Sequence, residues 1–370
     1  MSLGRCVVLG VVLSGCGAVP DAADESLGAA REALIAPGTW SSWIGPGNSS
    51  GGPPPPPASL TTGFQSPPAV ASRGDNQVDL QILGGDGKVY RSNYVRGSGF
   101  SAWSTIGSAT FTHSAQFAST PTVAAYSDRV LTGILASKGG DIYTNMWISG
   151  QGDMGWSLVS GSVACDGNIT IAKTTLVSFP LQMFCTKNQT LFRRTYSGSI
   201  NSYNVANWGS WEPISYPVMA RSGSSVAANQ AEGIRITFQG DDKSFYTRLG
   251  YTGDPDRITS DGATRLFHTT PPSFGPAASV YCTDLVTDPA CTNKARHDVL
   301  GVANNLIYWG HSDFPDAPFS TFTSLGMPSG CGTSPWAVPG VVTYKENGVV
   351  YLDMYYNCGD GKLRERVYRY

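Results

Sequence analysis

Residues 78–90 read Val-Asp-Leu-Gln-Ile-Leu-Gly-Gly-Asp-Gly-Lys-Val-Tyr, an alternating strand followed by a turn and the beginning of a second strand. Asp-Gly and Asn-rich dipeptides tolerate the positive φ that tight turns need, so this stretch predicts a β-hairpin. The turn and the second strand recur in six copies, which end at residues 90, 143, 192, 246, 308 and 364 with a mean period of about 55 residues. A fixed period of this length indicates a repeat architecture.

Two further elements accompany the hairpin. A short apolar strand, often opened by proline, is predicted before it at residues 68–71, 121–124, 217–220 and 335–338, because proline is tolerated where a strand begins. After the hairpin comes an aromatic-x-x-aromatic motif, at residues 100–103, 208–211 and 319–322. Each repeat therefore predicts a four-stranded antiparallel unit.

The last repeat lacks its aromatic motif, but a matching copy, Trp40-Ser41-Ser42-Trp43, precedes the first repeat. This arrangement is typical of a ring in which an N-terminal strand completes the last blade. The sequence thus predicts an all-β fold, a single β-propeller over residues 38–370 with six four-stranded blades, and seven blades as the alternative.

The composition excludes several classes of protein. Only 14% of the residues are charged, while glycine (44) and proline (24) are abundant. With few Glu and Lys to cover helix surfaces, a helix-rich fold is excluded. The net charge of −2 and the absence of Lys or Arg runs argue against a nucleic-acid partner and favour neutral ligands.

The N-terminal segment resembles a bacterial lipoprotein signal. A basic start is followed by an apolar run and by Leu13-Ser14-Gly15-Cys16. The resemblance implies a signal peptide over residues 1–15, lipidation of Cys16, a flexible tether over residues 16–37, and an outer-membrane lipoprotein attached to the membrane by its lipid alone. An ordinary secretory signal, and hence a secreted protein, is the alternative.

The six remaining cysteines are an even number in an exported chain and suggest three disulfides. Fifteen pairings are open, of which nearest-neighbour pairing within single repeats is expected. A metal site is the rival interpretation, but the sequence has no C-x-x-C pair. The expected pairs are Cys165–Cys185, Cys282–Cys291 and Cys331–Cys358.

The order of these motifs, with P-x-V-A, an alternating strand, G-x-D-G-x-V-Y and W-S-x-W-x-x-I-G, resembles the bacterial propeller lectins related to the Photorhabdus lectin, and more loosely the tectonin-type propellers. The resemblance covers about residues 38–370. It implies a non-catalytic protein that binds glycans in clefts between blades.

Sugar binding requires an aromatic face for the C–H side of a pyranose and short polar groups for its hydroxyls. The candidate carbohydrate-binding residues are aromatic side chains that recur at blade spacing, and packing between blades is the competing interpretation of each. They are Trp43, Trp103, Trp156, Trp208, Trp211, Trp309, Tyr90 and Tyr143.

No catalytic residue, cofactor or metal ligand is predicted. The sequence Gly47-Asn48-Ser49-Ser50-Gly51 fits G-x-S-x-G but leads into a proline run, so it is interpreted as a loop. His297-Asp298 and His311-x-Asp313 could each support general-base chemistry, but adjacent strand positions point to opposite faces, and the histidines are interpreted as solvated surface residues. The alternatives are a scaffold with a protein partner on the face of blades four and five, where insertions enlarge the loops, and a carbohydrate-active glycosidase or lyase.

Overall fold

The computed structural model describes residues 35–47, 51–95, 97–111, 120–136, 140–159, 161, 165, 169–174, 180–214, 225–229, 233–240, 244–250, 264–265, 276–282, 295–313, 319–331 and 338–370. Cys16, Cys291 and the signal segment lie outside these residues, as do most of the enlarged loops of blades four and five.

Within the described residues the chain forms 25 strands and two short 3₁₀ turns. The strands are β1 (Thr39–Trp40), β2 (Ala69–Gly74), β3 (Gln77–Leu83), β4 (Val89–Val95), β5 (Gly99–Phe100), β6 (Ser104–Thr105), β7 (Thr122–Ala125), β8 (Arg129–Leu135), β9 (Ile142–Ile148), β10 (Gly152–Val159), β11 (Thr170–Lys173), β12 (Leu181–Lys187), β13 (Thr190–Tyr196), β14 (Glu212–Ile214), β15 (Ser225–Asn229), β16 (Gly233–Gln239), β17 (Phe245–Gly250), β18 (Thr264–Arg265), β19 (Ala277–Cys282), β20 (Ala295–Ala303), β21 (Leu306–Ser312), β22 (Thr323–Gly326), β23 (Gly340–Glu346), β24 (Val349–Asn357) and β25 (Leu363–Arg369).

These strands form six antiparallel sheets in the part of the chain that the structure describes. Blade 1 is β2–β6, blade 2 is β7–β10, blade 3 is β11–β14, blade 4 is β15–β18, blade 5 is β19–β22, and blade 6 is β23–β25 with β1. The innermost strand of every blade contacts the innermost strand of each neighbour, so the six sheets close into a ring. The predicted six-bladed β-propeller is confirmed.

The N-terminal strand closes the ring as predicted. Strand β1 pairs antiparallel with β25, Trp40 opposite Tyr368, and so adds the fourth strand to blade 6. A second contact joins blades 6 and 1, where Gly361 has φ +75° and an added Cβ would lie 2.7 Å from the Cα of Gly63. Only glycine at both positions allows the two backbones to approach this closely.

The innermost strands of blades 4 and 6 are β15 and β23, which lie further along the chain than the predicted residues 217–220 and 335–338. All of those predicted residues except Val338 lie outside the described part of the chain. In blade 6 the two-residue turn at Asn347 (φ 50°) and Gly348 (φ 80°) fixes β23 directly opposite β24.

Two of the three expected disulfides are present. Cys165 bonds to Cys185 and Cys331 bonds to Cys358. The third predicted pair includes Cys291 and cannot be described. Each observed bond closes a loop within one repeat, as nearest-neighbour pairing requires.

Apolar side chains are buried between blades rather than inside one central core. One cluster joins blades 1 and 6 around Tyr355 and Leu80, and another joins blades 2 and 3 around Met183 and Leu131. Because both faces of each sheet are covered by its neighbours, a polar residue on a middle strand is buried as well. That burial determines the chemistry of the clefts.

Candidate functional site

A buried aspartate recurs at one position of the second strand in three blades. Asp79, Asp298 and Asp353 are each fully buried, and each pairs with the residue that lies three positions after the end of its repeat copy at 90, 308 or 364. A buried carboxylate is costly unless hydrogen-bonded or paired with a cation. The groups around each aspartate therefore define the polar part of its cleft.

Groups from two blades converge on Asp298 in the cleft between blades 5 and 6. Trp309 Nε1 donates to Asp298 Oδ1 at 2.8 Å, and the hydroxyl of Tyr370, at the end of β25, donates to Oδ2 at 2.5 Å. Arg296 Nε lies 3.4 Å from Oδ1. Burial raises the pKa of Asp298, and Arg296 together with the two hydrogen bonds opposes that rise.

Aromatic rings surround the guanidinium of Arg296. Its Cζ lies 4.6 Å from the ring centroid of Tyr370, 5.4 Å from that of Tyr368 and 5.5 Å from that of Trp309. His311 stacks on Trp309 with centroids 4.9 Å apart. Cation–π contacts of this kind hold a guanidinium in place without consuming its hydrogen-bond donors.

The outer rim of this cleft is polar. Asp313, whose side chain is 56% exposed, lies 3.3 Å from Arg296 Nη1 and 3.8 Å from His311 Nε2. Burial, followed by the charge of Arg296, lowers the pKa of His311. Arg296 Nη2 is buried and has no hydrogen-bond partner among the described residues. Trp309, His311 and Tyr370 are half-buried.

The closing strand adds two indoles to the same cleft. Trp40 packs its ring edge-to-face with Trp309 at 5.6 Å. Arg366 donates from Nε to the backbone oxygen of Ser41 at 2.7 Å, and its Cζ lies 5.8 Å from the ring of Trp43. The segment that closes the ring therefore also supplies part of this cleft.

The cleft between blades 1 and 2 follows the same plan. Asp79 forms an ion pair with Arg91 Nε through Oδ1 and lies 3.5 Å from Arg73 Nε through Oδ2. Both guanidinium groups lie over Trp147, with Cζ 4.0 Å (Arg91) and 4.6 Å (Arg73) from the ring centroid. Trp147 occupies the position in blade 2 that Tyr368 occupies in blade 6, five residues after the start of the third strand.

The structure brings the predicted sugar-binding residues together in pairs, each pair in a different apolar cluster. Trp43 and Trp309 pack against the same cluster in the cleft between blades 5 and 6. Trp103 packs instead against the cluster that joins blades 1 and 6, and its Nε1 donates to the oxygen of Pro54 at 2.9 Å. Trp156 donates to the oxygen of Ile106 at 2.8 Å in the cluster between blades 1 and 2.

Trp208 and Trp211 lie together in the cluster that joins blades 2 and 3. Tyr90 lies in the cluster of Trp103, and Tyr143 in that of Trp156. Trp208 is 4% exposed, and its Nε1 donates to the hydroxyl of Tyr203 at 3.0 Å. Trp211 lies 5.9 Å from Arg194 Cζ within blade 3.

The two predicted tyrosines are likewise held by protein groups. Tyr90 is 6% exposed and donates to Asp86 Oδ2 at 2.9 Å. The half-buried Tyr143 packs against Phe111 with centroids 5.8 Å apart. A sugar contact by any of the eight residues stays a prediction.

One interpretation from the sequence needs correction. His297 is 1% exposed and is therefore not a solvated surface histidine, and Asp298 beside it is fully buried. They lie on β20, a middle strand covered by blades on both sides. The polar centres at Asp79 and Asp298, with Arg73, Arg91 and Arg296, were missed by sequence reasoning; the available signal was an aspartate within the second strand of three repeats.

No cluster of metal-ligating side chains occurs among the described residues. In the same part of the chain, no helix is both long enough and apolar enough to cross a membrane. The side chains described in the two clefts can contact a ligand through hydrogen bonds, guanidinium groups and aromatic rings.

No family model and no curated protein matches the chain. Solved structures do. AofleA from Arthrobotrys oligospora has a TM-score of 0.55 and 14% identity, covering 84% of this chain and 85% of its own. The BP39L lectin from Burkholderia pseudomallei has a TM-score of 0.53 and 16% identity, covering 82% of each chain. The SapL1 lectin, solved in complex with α-methyl fucoside, has a TM-score of 0.51 and 11% identity, covering 80% of this chain and 90% of its own. The chain thus shares its β-propeller fold with lectins.

Proposed function

We propose that the protein binds carbohydrate in the cleft between blades 5 and 6 and catalyses no reaction. The observation that carries this proposal is the arrangement of Arg296 and the buried Asp298 among the rings of Trp309, Tyr368 and Tyr370. Partly exposed rings suit the C–H face of a sugar, while Arg296 Nη2 and Asp313 supply a donor and an acceptor for hydroxyl groups.

The charges in this cleft favour a neutral sugar. Arg296 lies within ion-pair distance of two carboxylates, those of Asp298 and Asp313. An anionic ligand would meet no uncompensated positive charge there, whereas hydroxyl groups would meet both donors and acceptors. This agrees with the low net charge of the whole chain.

The comparisons support glycans as the ligand class. Two of the proteins that share the fold are lectins, and the SapL1 structure contains α-methyl fucoside. Fold alone does not transfer a ligand. Fucosides therefore belong in the first set of probes, and the cleft itself has to be tested.

The cell-envelope location belongs to the same proposal. A lipid on Cys16 would place the propeller at a membrane surface, where several weak sites gain avidity against a glycan-coated target. Mass spectrometry of the protein from its membrane fraction should find the lipid on the peptide that begins with Cys16. A soluble chain cleaved elsewhere would favour the secreted alternative.

A glycan array tests the binding function. We expect the full-length protein to bind neutral glycans, to release them chemically unaltered, and to lose about tenfold or more in affinity in Arg296→Gln, because a hydrogen bond from a charged donor contributes about 1.5–3 kcal/mol. Arg364→Gln is the matched control: it removes the same charge from a residue that pairs with Asp360 outside the cleft.

Two results would contradict the proposal. One is that both folded variants bind every glycan as the unchanged protein does, which would exclude the cleft between blades 5 and 6 as the binding site. The other is that the folded protein binds no glycan at all; a protein partner would then become the leading alternative, to be sought by pull-down from envelope extracts.

A further inference from the structure

The cleft between blades 1 and 2 carries more positive charge than the proposed neutral-sugar cleft. Arg73 and Arg91 share one carboxylate, Asp79, which is the only acidic side chain within ion-pair distance of either among the described residues. In the cleft between blades 5 and 6 the ratio of guanidinium groups to carboxylates is reversed, because Arg296 has two carboxylates within ion-pair distance.

Other acidic groups near this cleft already have partners. Asp128 is held by the guanidinium of the adjacent Arg129 through two hydrogen bonds. Asp153, an exposed residue on the outer strand of blade 2, accepts a hydrogen bond from the backbone of Gly107. Neither lies within ion-pair distance of Arg73 or Arg91, although Asp128 acts on Arg73 and Asp153 on Arg91 at longer range, so the excess of one positive charge holds for groups in direct contact.

One guanidinium in the cleft is incompletely satisfied. The side chain of Arg91 is 6% exposed, and its Nη2 has no hydrogen-bond partner in the described part of the chain. Buried donors without acceptors cost about 1–3 kcal/mol, more when charged, and such a group calls for an explanation. Arg73 Nη2 has only a 3.3 Å hydrogen bond to the backbone oxygen of Ser127.

The geometry points to a carboxylate-bearing sugar as the ligand of this second cleft. We propose that the acid group of a hexuronic or nonulosonic acid accepts hydrogen bonds from Arg73 and Arg91, with the half-buried Trp147 beside it. A planar guanidinium matches the two oxygens of a carboxylate better than an ammonium group does. This inference rests on the proposed carbohydrate-binding function and adds a second class of ligand at a different cleft.

Titration with charged and neutral sugars tests the inference. The probes are the methyl glycosides of glucuronic, galacturonic and N-acetylneuraminic acid, with methyl glucoside, methyl galactoside and sodium acetate as comparisons, added to the full-length protein at constant ionic strength. We expect at least one acid to bind about tenfold more tightly than every comparison ligand. Since exposed charges are screened beyond about 8 Å at 0.15 M salt, this advantage should shrink at 0.5 M salt.

Matched variants locate the site. Arg73→Gln should weaken binding of the acidic sugar about tenfold, Arg73→Lys should retain part of it, and Arg364→Gln, with the same loss of charge, should leave it unchanged. Arg73 is preferred to Arg91 because its removal leaves the buried pair of Arg91 with Asp79 in place. Circular dichroism should confirm that each variant folds.

The failures of the two proposals are distinguishable. Neutral-glycan binding that depends on Arg296 but no preference for any acid overturns the inference alone. Acetate binding as tightly as the sugars, or Arg73→Gln and Arg364→Gln having equal effects, overturns it too. Loss of acidic-sugar binding in Arg296→Gln but not in Arg73→Gln would place the acidic sugar in the cleft between blades 5 and 6 and overturn the inference.

Discussion

The hydroxyl of Ser41 links the closing strand to blade 6, and its removal tests how the ring is held together. Ser41 Oγ accepts a hydrogen bond from the backbone N–H of Val367 at 3.0 Å, while the backbone N–H of Ser41 donates to the oxygen of Val367 at 2.7 Å. Ser41→Ala keeps the second bond and deletes the first. Val367 is fully buried, so its N–H would be left without an acceptor.

The size of the effect follows from that orphaned donor. A buried N–H that loses its partner costs about 1–3 kcal/mol, and the partial exposure of Ser41 allows water to recover some of it, so we expect a loss of about 1–2 kcal/mol. The entropy of unfolding is about 2.1 cal/mol/K per residue, so in a domain of about 330 residues 1 kcal/mol corresponds to about 1.4 °C in Tm. Ser41→Ala should therefore lower Tm by about 1.5–3 °C.

Thermal unfolding followed by circular dichroism measures this change. Ser42→Ala is the control, because it removes the same hydroxyl from the exposed neighbouring residue and should change Tm by less than about 1 °C. If the two variants unfold at the same temperature, the Ser41 hydrogen bond does not stabilise ring closure, and the reasoning is refuted.

Two further predictions concern pH and the disulfides. The pKa of His311 is lowered from its ordinary 6.5, so the unfolded chain takes up that proton first as pH falls. The stability it contributes is complete above about pH 6.5 and declines below it; Tm of His311→Gln should fall less between pH 7 and 5 than that of the unchanged protein, and parallel curves would contradict this. Replacing Cys331 and Cys358 by Ala opens a loop of 27 residues and should cost about 2–4 kcal/mol in urea unfolding, whereas a cost below about 1 kcal/mol would show that the bond does not restrain the unfolded chain.

The repeat and its closure could be predicted because their signals are local. The turn at Asn304 and Asn305, both with positive φ, lies between β20 and β21 as the sequence indicates. The aromatic motif at Trp40 marked the closing strand through its likeness to the motif after each hairpin. Local signals did not mark β23, the inner strand of blade 6.

The polar centres could not be predicted because their members come from distant parts of the chain. Tyr370 reaches Asp298 across a separation of 72 residues, and Trp147 meets Arg73 from the next blade. The sequence also does not reveal that Trp208 is buried whereas Trp309 is only half-buried. Which indole faces a cleft is determined by the packing of neighbouring blades, and that packing has no local signature.

A crystal structure of the protein with the neutral glycan that gives the strongest array signal tests the central claim most directly. The account predicts the sugar in the cleft between blades 5 and 6, with a C–H face against Trp309 or Tyr370 and hydroxyl groups bonded to Arg296 or Asp313. A glycan held only in other clefts, with Arg296 and Asp298 untouched, would contradict it.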